Sequence, residues 1–170
     1  MRGRAGRAAP LIVAVVVIAV GCAGKRIENG MFHSRSGYRV VLPGPAWAVS
    51  DGGPAELELR HRSVPAGMLV NATCDGPAAR RDLDVLARHV LIGLRDRRVL
   101  AADQVSLNGR QGGRTVVEGR SPDTRAPVRV EAYVLRDGRC VYDLLYVAPP
   151  EAFDALHADF EEFVQSFTTE

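Results

Sequence analysis

Lysine is almost missing from this chain. Of its 22 basic residues, Lys25 is the single lysine and the rest are arginines, a bias read here as compositional. Long apolar runs are missing too: the longest, residues 11–20, covers ten positions, and a membrane-spanning helix needs about twenty. The four histidines (His33, His61, His89, His157) form no HxH, HExxH or HxxxH pair, and the three cysteines share no CxxC or histidine spacing. A zinc site therefore has no sequence support, and no metal or cofactor is expected. No serine lies in a GxSxG elbow, which removes the signature of hydrolases of that type. The glycines from Gly109 to Gly113 lack the Lys-Ser/Thr of a phosphate loop and sit between strand-like segments, not ahead of a helix. Asn71-Ala72-Thr73 has the form of a glycosylation acceptor, which a bacterial exported protein would not normally use. There is no internal repeat or low-complexity tract, and no catalytic constellation, so an enzyme is not expected.

What is present begins at the N-terminus. Arg2, Arg4 and Arg7 precede the apolar run, and Ala19-Val20-Gly21-Cys22 follows. A positive region, a short apolar region and a small-residue cleavage site make a secretory signal. The segment resembles a bacterial lipoprotein signal, although Ala19 replaces the favoured leucine. That resemblance implies cleavage before Cys22 and acyl chains on Cys22, palmitate among them, enough to hold the protein stably on a membrane. Residues 1–21 are then the signal peptide, residues 22–30 a polar tether, and residues 31–170 a single domain. The expected location is the bacterial cell envelope, with the domain in the periplasm or outside. Ala23 in place of Asp favours the outer membrane. Without the signal's arginines the chain carries 19 basic against 20 acidic residues, so nothing calls for nucleic acid. An exported protein meets an oxidising compartment, which permits a Cys74–Cys140 disulfide; two buried free thiols are the alternative.

Along the domain, short strands are expected near Phe32, over 38–42, over 56–61 and over 67–74. Leu83, Leu86, Val90 and Leu94 then mark one stripe of a helix over 82–96, with Asp82 placed to cap it. Two hairpins follow. Strands 99–107 and 111–118 flank Asn108-Gly109, and strands 128–136 and 139–148 flank Asp137-Gly138. A two-residue Asp137-Gly138 turn pairs Val134 with Val141 and Ala132 with Asp143. Both faces of this hairpin are apolar in their middles, as in a sheet covered on both sides. After Pro149-Pro150, Phe153, Leu156, Phe160, Phe163, Val164 and Phe167 keep helical spacing, with Glu151 and Asp154 in the first turn. The expected fold class is α+β, with one antiparallel sheet of about six or seven strands flanked by helices.

This pattern is similar to the PsbP-like α/β/α sandwich group. The residues that carry the likeness are Gly37-Tyr38-Arg39-Val40-Val41-Leu42-Pro43 with Trp47, the helix 82–96, Leu107-Asn108-Gly109 with Gly112-Gly113, the Asp137-Gly138 hairpin, and the closing Phe163-Val164-Gln165-Ser166-Phe167. The group includes photosystem II accessory proteins, a nuclear-transport factor that binds a small GTPase, and bacterial envelope lipoproteins. The resemblance implies a fold and no shared chemistry.

Asp143 is the odd residue, a carboxylate on an otherwise apolar strand face. It needs a partner or a proton when buried. It is salt-bridged to one of the arginines, turned to solvent by a bulge, or a polar anchor in a ligand cleft, and Tyr133, Tyr142 and Tyr146 are the candidates to line such a cleft on the opposite face. The sequence thus points to a non-catalytic envelope module, anchored at Cys22, with an envelope protein as partner. A small-ligand or metal carrier with a pocket on the sheet face is the alternative.

Overall fold

The computed structural model describes residues 25–169; the expected signal segment and Cys22 lie outside the described residues. The chain opens with β1 (Arg26–Glu28), β2 (Met31–His33), β3 (Tyr38–Val41), β4 (Trp47–Val49), β5 (Leu57–His61) and β6 (Gly67–Cys74). Two helices follow, the single-turn α1 (Gly76–Ala79) and α2 (Leu83–Val90). Then come β7 (Arg95–Leu107), β8 (Arg110–Arg120), β9 (Pro127–Asp137), β10 (Cys140–Ala148), α3 (Pro150–Gln165) and β11 (Thr168–Thr169). Seven antiparallel strands form the main sheet in the order β4-β5-β6-β10-β9-β8-β7. A second, four-stranded sheet in the order β1-β2-β3-β11 accompanies it. The class is α+β, as the sequence indicates, with the small sheet as an addition.

Period-two alternation assigns the two faces of the main sheet. On β10, Tyr142, Leu144 and Tyr146 join the large core with α3 and the small sheet. Val141 points to the other face, beneath α2 with Val134, while Leu145 and Val147 pack there against Leu91, Val117 and Val130. The α3 side is dense. Phe153, Phe160, Phe163 and Val164 are all buried, and Tyr38 stands edge-on to Tyr142 with ring centroids 5.6 Å apart. By contrast, α2 has no fully buried residue. Polar contacts lock the α3 side: Trp47 Nε1 donates to Asp159 Oδ2 at 2.8 Å, and Asn108 Nδ2 donates to the Phe167 carbonyl at 2.7 Å.

Four expectations need correction. The tether reading of residues 22–30 misses β1, which pairs with β2 through Asn29-Gly30, both at positive φ. The middle helix ends at Val90, not residue 96, because tight i→i+3 turns replace it: Ile92 N–H donates to the His89 carbonyl and Leu94 N–H to the Leu91 carbonyl. Leu91 and Leu94 thus keep their apolar spacing outside the α-helix. Asp82 occupies the N-cap position, but its side chain makes no capping hydrogen bond. In the last hairpin Asp137 pairs with Cys140 and Val134 with Asp143. The turn residues are Gly138-Arg139, with positive φ at Gly138 and not at Arg139, the pattern of a type II′ turn. This moves the register by two residues, so every side chain keeps its face.

Candidate functional site

The four residues proposed as a ligand cleft do not come together. Tyr133, Tyr142 and Tyr146 lie on the α3 side of the sheet, and that side is filled. Tyr146 O–H donates to the Phe153 carbonyl at 2.9 Å, and its ring lies 4.7 Å from that of Phe153. Tyr142 packs against Phe167 at 5.0 Å, and Tyr133 against Phe160 at 6.0 Å. Burial pushes all three hydroxyls up from the ordinary tyrosine range, so they remain protonated in the core. Asp143 lies on the opposite face, across from Asn71 on β6 and Val134 on β9. Its Oδ1 is buried without a hydrogen-bond partner. Desolvation raises its carboxyl to about 6. The salt bridge weighed for Asp143 from the sequence is not made. Cys74 and Cys140 are directly paired residues of β6 and β10 and form a disulfide.

Sequence reasoning passed over the strongest polar cluster. Glu131 on β9 is fully buried on the α3 side. Its Oε1 accepts from Arg114 Nε at 2.6 Å, and its Oε2 lies 2.6 Å from His157 Nε2 on α3. Arg114 Nη1 also reaches Asp103 Oδ2 at 3.2 Å. Desolvation pulls the Arg114 guanidinium down, but the Glu131 hydrogen bond and charge outweigh it, and the net shift is upward. The other ring nitrogen of His157 faces Glu161 at 3.7 Å. With a carboxylate at each nitrogen, the ring is held between acids and not presented to a nucleophile. The cluster fastens α3 to the sheet. The signal for it was a glutamate among Leu135, Tyr133 and Arg129 on one strand face; only the folded chain supplies its partners.

Open concave surface lies on the α2 side. Leu83, Ala87 and Leu91 face Val99 and Ala102 of β7 across a cleft of about 650 Å³ with Val117 in its lining. Arg88 and Arg97 stand at its edge, and Arg97 Nη1 donates to the Leu91 carbonyl at 3.3 Å. Here β7 is the last strand of the sheet, so its outer backbone edge has no strand neighbour among the described residues. Val99 is 62% exposed and Ile92 63% exposed; Leu100 and Val85 are exposed as well. On the opposite face of β8, toward Leu135, Gly112 lets β8 and β9 approach closely. A Cβ on Gly112 would stand 2.3 Å from the Val134 carbonyl oxygen, whereas Gly113 has room. Among the described residues no cluster of three or more His, Cys, Asp or Glu side chains is arranged to hold a metal. No helix among them is long and apolar enough to cross a membrane.

No family model and no curated protein matches the chain. Solved structures do. The chain is similar to cyanobacterial PsbP (CyanoP) from Synechocystis at 13% identity and a TM-score of 0.58, covering 89% of this chain and 96% of that one. It is similar to LpqN of Mycobacterium tuberculosis, a protein involved in cell envelope biogenesis, at 15% identity and a TM-score of 0.57, covering 81% and 88%. A protein of unknown function from Pseudomonas aeruginosa, described as a putative regulator, aligns at 10% identity and a TM-score of 0.51, over 82% and 96%. At these identities the likeness is one of fold, and the fold is PsbP-like.

Proposed function

We propose that this protein is a non-catalytic binding module of the bacterial cell envelope, anchored through Cys22, that engages a protein partner at the cleft between α2 and β7. One observation carries the reading. The main sheet ends in a 13-residue edge strand, and beside it lies a cleft with an apolar stretch of Leu83, Ala87, Leu91, Val99 and Val117, of which Val99 is exposed, and with charged residues such as Asp84, Arg88, Arg97 and Asp103. The start of this edge is guarded by Arg95, Asp96, Arg97 and Arg98 and by two register shifts, and beyond them Val99 and Leu100 stand exposed, the kind of apolar surface a partner can cover. The sheet face beneath α3, by contrast, is closed by packing and by the Glu131 cluster. The envelope location rests on the N-terminal pattern ending at Cys22 and on the fold shared with LpqN. The absence of a base presented to a nucleophile at His157 supports a binding role over a reaction.

Fractionation and copurification test the reading together. The full-length protein is expected in the membrane fraction, and Cys22→Ala is expected in the soluble exported fraction. A partner copurified with wild type from detergent extracts is expected to be lost with Val99→Arg, while an arginine at the exposed Glu162 of α3 leaves it in place. Membrane association unchanged by Cys22→Ala would overturn the anchor. A partner indifferent to Val99→Arg would overturn the cleft.

A further inference from the structure

A second cavity, of about 240 Å³, lies on the flank of α2 nearer β5 and β6. Leu69, Val90, Leu145 and Val147 are among its lining residues, and Glu58 is the one titratable side chain there. Glu58 already accepts from Arg60 Nη2 at 3.2 Å. The strand ladder extends the cavity floor. Leu69 pairs with Leu145 across β6 and β10, and the next pair on the same face is Asn71 with Asp143. Asp143 is thus the next residue on this strand face beyond the cavity-lining Leu145, with Val141 on its other side and Val134 opposite. No cation answers it. Arg136 is the cation next to Val134 on the same face of β9; its Nη2 donates to the Arg81 carbonyl just ahead of α2, and its Nε is buried without a partner. Asp143 Oδ1 is left buried and without a partner. A buried carboxylate oxygen with no donor costs free energy. Such a group in a folded protein calls for a reason, and a ligand that supplies the missing donor is one.

We propose that this cavity and Asp143 form a binding site for an aliphatic ammonium group. The methylene chain lies against Leu69, Leu145 and Val147. The ammonium donates to the Asp143 carboxylate, with the Asn71 side-chain carbonyl as a second acceptor. The cavity is smaller than the roughly 300 Å³ at which drug-sized sites begin. It accommodates a short alkylamine or a single lysine side chain, and not a whole lipid. This site is separate from the α2–β7 cleft, so it stands or falls independently of the partner reading.

The test is a titration of the full chain in phosphatidylcholine nanodiscs, followed through the methyl resonances of Leu69, Leu145 and Val147. The probes are n-hexylamine, n-hexanol, hexanoate and a blocked lysine (N-acetyl-lysine methylamide). Hexylamine is expected to shift these methyls saturably, and hexanol to bind about tenfold more weakly. In Asp143→Asn, which keeps the shape and removes an unanswered charge, hexylamine is expected to lose that preference over hexanol. Binding of the blocked lysine as well as hexylamine assigns the site to a side chain of another protein; binding of hexylamine alone assigns it to a free amine. Equal response to amine and alcohol in the wild type, amine binding retained in Asp143→Asn, or no response to any amine overturns the proposal. Val99→Arg is expected to leave amine binding unchanged.

Discussion

Arg114 and Glu131 are joined across β8 and β9 by a 2.6 Å hydrogen bond to a carboxylate that is fully buried. Removing one member of such a pair leaves an uncompensated charge, which costs more than removing both. His157 remains as a partner, so Arg114→Met is expected to lose about 3 kcal/mol, the low end for a broken buried pair. Arg114→Met combined with Glu131→Leu is expected to recover part of that loss. Urea denaturation of the two single variants and the double variant measures the coupling. Additive losses would show that the pair does not act as a unit.

Gly112 is a packing requirement. With the Val134 carbonyl oxygen 2.3 Å and Leu135 Cδ2 2.7 Å from where its Cβ would stand, Gly112→Ala must push β8 and β9 apart. The expected cost is about 1–3 kcal/mol. Gly113→Ala, whose Cβ meets nothing nearer than 3.9 Å, is the control and is expected to be near neutral. Thermal melts of both variants decide it; equal losses would mean that strand entropy, not contact, governs this stretch.

Asp143 gives stability a pH dependence of defined sign. Its unfolded carboxyl titrates at the ordinary 3.8, and burial raises the folded value to about 6. Between these values the folded chain keeps a proton that the unfolded chain has released, so this group's contribution falls as pH rises across the window and is flat above it. Asp143→Asn is expected to remove that slope. Allowing for the carboxylate's partial exposure, the variant is expected to be about 2 kcal/mol more stable than wild type at pH 7. At pH 3 the two are expected to match. Denaturant midpoints of both proteins from pH 3 to 8 give the difference curve, and a flat difference would show that Asp143 finds a partner.

The Cys74–Cys140 bond closes a loop of 66 residues that contains β7 to β9 and both α1 and α2. Chain-entropy reasoning assigns such a loop up to about 4 kcal/mol. Cys74→Ser with Cys140→Ser is expected to unfold at correspondingly lower urea, with the fold retained by circular dichroism. Unchanged midpoints would mean that the β6–β10 ladder already restricts the unfolded chain.

Local pattern carried most of the large sheet. Strand β6 and the Asn108-Gly109 hairpin are legible because alternation and turn chemistry act within a dozen residues. The closing helix is legible from its phenylalanine spacing. The faces of the last hairpin survived an error in register because that error was an even number of residues. The small sheet was not legible as a sheet. Its strands run two to four residues, and β11 pairs with β3 from the far end of the chain, Thr169 opposite Tyr38. Asn29-Gly30 did announce the first of its hairpins, inside a segment read as tether. The candidate site was half legible. Asp143 stood out as a charge on an apolar face, but which helix covers that face is decided by crossovers that periodicity does not encode. The tyrosines faded as site residues for the same reason: aromatic strand residues look alike in sequence whether they line a cleft or meet a helix such as α3.

The central claim is that the α2–β7 cleft is where a partner binds. Site-specific photo-crosslinking in living cells tests it most directly, with a benzophenone side chain placed at Val99 or, on the opposite side of the molecule, at Glu162. The account predicts one discrete crosslinked species from Val99, absent from Glu162 and diminished when Ala102→Arg, in the same cleft wall, is added. Crosslinks of equal yield and pattern from both positions, or none from Val99, would contradict it.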